Sequence, residues 1–319
     1  MHAMPSLRFA DADTAARYPL PTSGAAAWAS GGTGARLVVE LGDLGAGTIV
    51  VPSLAFRLSA EADDTGEPGP AHRWTLRAAE RCWPLQWVPA TEPPAAPQKG
   101  SPVSTHVDCF RVHRALSGTF LELELDSEIP RRYLVCVSSR AFTVAAPPLP
   151  ESAAALPCPP PQRSQLSAPE AIAQRICSPT CVSIVLDAWR RPHDWLEVAA
   201  ECHDPVTGMF GVWPLALRAA ARRGCIGAVE VFAGWREPMT VLERGVPLVT
   251  SIRFSAGELP GAPLPETSGH LVVVYAAGPD EILVCDPAAN PGEVHRSYPA
   301  TAFSAAWLRH RGAAYILPP

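Results

Sequence analysis

Three side chains in the second half of this sequence have the types and settings of a nucleophile, a base and an orienting carboxylate. Cys177 stands in Gln174-Arg-Ile-Cys-Ser-Pro-Thr180, at the head of a stretch with apolar residues at 181, 184, 185, 188 and 189. That spacing is helical. Pro179 fits a first helical turn, where its missing N–H costs nothing. Cys177 is therefore expected at the helix N-terminus, where the dipole and unpaired N–H groups favour a thiolate. His270 opens an apolar strand after Ser268-Gly269, and Asp286 ends the next strand in Val284-Cys-Asp-Pro287. The two positions are symmetric about Gly278, so a hairpin centred there sets them directly across from each other. A thiol, an imidazole and a carboxylate in that relation can perform nucleophilic acyl chemistry.

Each residue alone has a bland reading: a structural cysteine, a rim histidine, an Asp-Pro turn. The joint arrangement carries the inference. A metal reading would have Cys177 and Cys181, one helical turn apart, share zinc with Cys202 or His203. Cys181, however, falls on the apolar stripe, where a free thiol is an ordinary core residue. The triad chemistry needs no metal and no organic cofactor. Within the first 145 residues the nearest thing to a constellation is His106, Asp108, Cys109 and His113. On an extended strand Cys109 and His113 lie roughly 13 Å apart, and His106 and Cys109 point to opposite faces. No catalytic machinery is expected there.

The elements that must position these residues fall into two parts. Residues 36–41, 48–51, 54–58, 74–77, 120–125 and 133–137 are short, β-branched or alternating runs, with Leu121, Leu123 and Leu125 on one face and Glu122 and Glu124 on the other. Gly, Pro, Asp and Ser clusters separate them, the pattern of an antiparallel β-sandwich over 1–145. Residues 88–104 read as a long Pro-rich loop. A Pro-rich linker of semi-rigid polyproline type spans 146–163. From 164 to 319 the pattern is α+β. Helices are expected at 177–189, 213–223 and 300–308, and strands at 228–232, 247–252, 270–276, 281–285 and 314–317. Asp194 reads as an N-cap with Glu197 three residues on.

Composition narrows the function classes. The 319 residues carry a net charge of −5, and of 26 basic residues only Lys99 is lysine. There is no domain-wide basic excess, so nucleic acid is a poor partner. No apolar run reaches the roughly 18 residues of a membrane span. The first 19 residues hold Arg8 and Arg17 but no apolar core of a secretory signal. Nine scattered cysteines, an odd number, then fit a reducing, cytoplasmic setting; a different start site would allow export.

The segments Arg163-Ser-Gln165, Ile176-Cys-Ser-Pro-Thr180 and Ser183-Ile-Val-Leu-Asp-Ala-Trp189 resemble papain-like cysteine peptidases of the bacteriocin-processing, double-glycine-leader type, family thirty-nine among cysteine peptidases. The closer likeness is to their stand-alone bacterial relatives without a transporter. It continues through Gly211-Val-Trp-Pro214, Gly245 to Ile252, Gly269 to Val274, Val284 to Ala288 and Tyr298 to Trp307, covering roughly 160–319. The resemblance implies Cys177 as nucleophile, His270 as base and Asp286 as its orienter. It also implies an upstream Gln as oxyanion donor. Gln165, twelve residues before Cys177, can fold back beside it on a separate loop, whereas Gln174, three before, hardly can. Relatives often carry an N-terminal β-rich region, many are exported, and they read Asn-Trp-Pro where this chain has Val212-Trp-Pro.

These readings converge on thiol-dependent hydrolysis of a peptide or amide bond, with a peptide or protein as substrate and the β-region available to a glycan or protein ligand. An acyl transferase or deamidase would use the same triad. A catalytically idle binding module is the remaining alternative.

Overall fold

The computed structural model describes residues 6–31, 34–58, 70–93 and 99–319. Residues 94–98 of the Pro-rich 88–104 stretch, and the first five of the chain, lie outside them.

The first half is almost all strand, with one short helix, Ala12–Arg17, and the second half mixes helices with an antiparallel sheet. The first 145 residues form two five-stranded sheets. One runs, in spatial order, Leu7–Ala10, Arg132–Ala141, Thr48–Arg57, Phe110–Val112, Val103–Thr105. The other runs Ala29–Gly31, Gly34–Leu44, Leu116–Leu125, His72–Ala78, Arg81–Pro84. Val50, Phe110 and Val135 of the first meet Leu37, Trp74 and Leu121 of the second in one buried cluster. Two expected strands are in fact one: Thr48–Arg57 continues through Pro52. Its neighbour Phe110–Val112 pairs only as far as Val50, so past that point the missing N–H removes no ladder bond on that flank.

The second half is built on a seven-stranded sheet. Leu271, Val273 and Tyr275 of strand Thr267–Ala277 face the helices Cys177–Ala188 and Trp213–Arg222. Val272 and Val274 face Arg236–Glu243 and Ala300–Leu308 on the other side. Burial on both faces explains why the strand is an unbroken apolar run. Helix Trp213–Arg222 has Pro214 in its first turn and Gly224 (φ 85°) just past its end, as expected.

The stretch 146–163 does more than connect. Ala154-Ala155 pairs with Ala276-Ala277 as an extra strand, and the buried Pro160 carbonyl accepts a hydrogen bond from the His295 ring at 2.9 Å. Pro157, Cys158, Pro159 and Pro161 are exposed.

The two halves share their cores. Ile49, Val51 and Cys109 sit in one cluster with Ala216, Ala220 and Val231, and Leu134 and Cys136 sit in another with Ala228 and Trp235. Buried polar contacts fix the join. Arg8 grips Glu230 with Nε at 2.8 Å and a terminal nitrogen at 2.6 Å, and the Tyr18 hydroxyl adds a third bond at 2.7 Å. Arg140 donates to the carbonyls of Phe232 and Leu308. Gly312 (φ 62°) makes room for it, since a Cβ there would collide with the guanidinium.

Candidate active site

Cys177 is the first residue of helix Cys177–Ala188, preceded by Ile176 with no side-chain cap. The first-turn N–H groups are therefore free to act on the sulfur. Ser178 and Leu271 N–H donate to it, and the His270 side chain hydrogen-bonds it. Burial raises the thiol pKa, but the His270 bond and charge, with these N–H groups, outweigh that and bring it below its ordinary value. The residue is half-buried.

His270 is buried in strand Thr267–Ala277, opposite Ile252. Its Nε2 lies 2.8 Å from Asp286 Oδ1, which leaves Nδ1 for the thiol. Burial disfavours the imidazolium; Asp286 and Cys177 together overcome this and hold His270 at about 10. Asp286 is also buried, which raises its pKa. The His270 charge and hydrogen bonds from His270, Tyr298 and the Ala288 N–H reverse that and keep it low.

The route by which His270 and Asp286 meet differs from the expected one. The hairpin closes with Gly278 N–H donating to Glu281 O, and a bulge lies between Val274 and Ala276. Val273 faces Cys285, so the ladder is offset by two residues from symmetry about Gly278. An offset of two preserves the face, and diagonal neighbours on one face are within reach of a long side chain. His270 and Asp286 pair diagonally.

Gln165 opens a short 3-10 turn, Gln165–Ser167, and is buried. Its N–H donates to Pro287 O at 2.8 Å, and Ser164 Oγ donates to Ala289 O at 2.5 Å. The loop carrying Gln165 is thus tied to the loop carrying Asp286. The Gln165 Oε1 has no hydrogen-bond partner in the protein. Gln174 is exposed at the end of helix Glu170–Ala173.

Cys181, one turn deeper, is fully buried and donates to Leu271 O at 3.2 Å. Burial, reinforced by Cys177 and Asp286, pushes its thiol well above the ordinary value. Cys202 is in the apolar core, and the His203 ring packs on Phe210 at 4.7 Å. Asp194 caps helix Trp195–Glu201 through Leu196 and Glu197 N–H.

Tyr298 was not legible as a site residue. Its hydroxyl donates to Asp286 Oδ2 at 2.7 Å. It lies in a polar strand, His295–Pro299, whose sequence does not show that the hydroxyl is buried. The N-terminal half also reaches the site's surroundings. Asp108 is buried, and its carboxylate accepts the N–H of Trp213 at the head of helix Trp213–Arg222.

Residues 160–315 match the model of the Peptidase_C39 like family. Two solved structures are similar over 52% of this chain and 98% of theirs, each at 15% identity. One is a double glycine motif protease from an AMS/PCAT transporter in complex with the leader peptide, with a TM-score of 0.36. The other, from Bacillus anthracis, is described as a C39-like peptidase, with a TM-score of 0.40. No curated protein matches the chain. Among the described residues, no helix is long and apolar enough to cross a membrane.

Proposed function

We infer that this chain, a member of the C39-like peptidase family through residues 160–315, is a cysteine peptidase that cleaves a peptide or amide bond with Cys177, His270 and Asp286. The observation that carries the reading is the connected chain of contacts: His270 bonds the Cys177 thiol on one side and Asp286 Oδ1 on the other. His270, held at about 10, is an imidazolium, and beside it the Cys177 thiol is biased towards the thiolate that attacks. The sulfur attacks the substrate carbonyl, and the negative oxygen is stabilised by the Cys177 N–H and the Gln165 side chain. His270 gives its proton to the leaving amine as the tetrahedral adduct collapses to a thioester. It then takes a proton from water, which attacks the thioester and frees the acid. Asp286 keeps the imidazole in one orientation and stabilises its charge. Gln165 suits the donor role because it is buried on the loop tied to the Asp286 loop, through its own N–H to Pro287 O, and its amide N–H is the group that would meet the oxyanion.

In this reading residues 164–319 form a papain-like catalytic unit, 1–145 a β-sandwich accessory unit and 146–163 their connector. The test is turnover of a mixed peptide library followed by mass spectrometry. Wild type should generate new termini and Cys177→Ala should generate none. Equal cleavage by both proteins would end the reading.

A further inference from the structure

Immediately before His270, at the join of the two halves, lies a cavity of about 120 Å³. Ser268 and Gly269 form part of its wall, together with Ile252, the ladder partner of His270. Other walls come from the N-terminal half, through His106, Arg111 and Phe142, and from the segment after helix Ala300–Leu308, through His310 and Arg311. The cavity is a built feature of the join.

Its charge has one sign. Arg111, Arg253 and Arg311 line it. Among the described residues none of the three forms a salt bridge. Asp108 acts on Arg311 through space only, and is satisfied by the Trp213 N–H and the Cys109 thiol. Glu258 is engaged by Arg309 at 3.3 Å. His106 and His310 are lowered by burial and by the arginines around them, so the fixed charge resides on the guanidiniums.

Two of those guanidiniums are held by aromatic faces. Arg111 lies 3.6 Å from the centroid of the Phe142 ring, and Arg311 lies 5.7 Å from Trp213. Stacking occupies the flat face and leaves the N–H edge free. That edge matches a carboxylate with two parallel hydrogen bonds. Arg253 and Arg311 are exposed, so an incoming chain can reach them.

We propose that this cavity is a subsite for a carboxylate of the peptide substrate, either an acidic side chain or the C-terminal carboxylate, seated within a few residues of the scissile bond. The proposal rests on the peptidase reading of Cys177 and His270, and it gives the N-terminal half a direct part in choosing the substrate. An extended peptide advances about 3.3 Å per residue, so a group bound beside Ser268-Gly269 lies close in sequence to the bond presented at His270.

The test uses two random decapeptide libraries, identical except for free or amidated C termini. Full-length protein is assayed for cleavage, and full-length Cys177→Ala for retention of uncleaved peptides. Asp or Glu should be enriched near the cleavage point by about tenfold, the effect of one good charge-assisted pair. If the terminal carboxylate is the ligand, cleavage should instead be confined to the free-acid library. Arg111→Gln with Arg311→Gln should abolish the preference, with an unfolding midpoint within a few degrees of wild type. The paired lysine variants, which keep the charge but lose the fork, should restore part of it. Cleavage without any acidic or terminal preference, or a preference unchanged in the glutamine variants, overturns the subsite and leaves the peptidase reading standing. Retention of acidic peptides by Cys177→Ala with no cleavage by wild type supports the subsite and overturns the peptidase reading.

Discussion

The Tyr298 hydroxyl and the Asp286 carboxylate are joined at 2.7 Å, both buried, on the oxygen that His270 does not use. The carboxylate is thereby gripped at both ends, with the Ala288 N–H sharing Oδ1 at 2.9 Å. A carboxylate held this way cannot rotate, and neither can the imidazole it orients. In the proposed triad Tyr298 would be a positioning residue, acting on His270 through Asp286.

Tyr298→Phe keeps the ring and removes one bond to a charged group, worth about 1.5–3 kcal/mol. kcat should fall on the order of tenfold with KM nearly unchanged. Asp286→Ala should cost far more, on the order of 10³–10⁴ in kcat, because the imidazole loses its tautomer and its counter-charge. Steady-state kinetics on a cleaved library peptide checks both.

The pH profile follows from the two opposed shifts. Cys177 is below its usual thiol value, so the acid limb of kcat/KM should lie below the free-thiol value of about 8.5. His270 is held at about 10, so the alkaline limb should fall there, where the imidazolium proton is lost. In Asp286→Asn the counter-charge is gone and that limb should move down towards about 6.5. Stability has the same sign. The His270 contribution is complete below about pH 6.5 and is lost as pH rises through about 10. An alkaline limb that Asp286→Asn leaves in place would contradict this assignment.

The join predicts that the halves do not separate. Removing residues 1–145 strips Arg8 and Tyr18 from Glu230, which is completely buried. Breaking a buried ion pair by deleting one partner costs about 3–5 kcal/mol, and the shared apolar clusters would be exposed as well. A 146–319 fragment should therefore be insoluble or molten in circular dichroism. In the full chain, Arg8→Leu should lower the unfolding free energy by about 3–5 kcal/mol, measured by urea titration. A soluble, cooperatively folding fragment would show that the join is dispensable.

The local pieces of the site were legible because each has a chemical cause close in sequence. Pro179 fixes where the Cys177 helix can start, and the helix Ala300–Leu308 ends ahead of its cations and Gly312 as read. His270 with Asp286 was legible to a face but not to a register: a later turn and the Val274/Ala276 bulge together offset the ladder by two residues, which changes the partner without changing the side. The join was not legible. Arg8 and Glu230 are 222 residues apart, and no local pattern marks either as one half of a buried pair. The same applies to Tyr298, a tyrosine in a polar strand until Asp286 is placed behind it. Pro-richness at 146–163 gave no sign of the strand Ala154-Ala155, because that pair forms only where Thr267–Ala277 outruns the strand Leu248–Phe254.

If Cys177 is the reactive nucleophile, Cys181 supplies the internal control. The two thiols share one helix, one turn apart, yet one is lowered and the other raised. The most direct measurement is brief iodoacetamide treatment at about pH 6, well below the free-thiol value. Peptide mapping and turnover are then measured on the same sample, with the exposed Cys82 and Cys158 as references. Label should appear on Cys177 ahead of all other cysteines, with turnover lost in proportion and Cys181 untouched. Label on Cys181 with Cys177 unmodified, or full turnover with Cys177 alkylated, would contradict this role for Cys177.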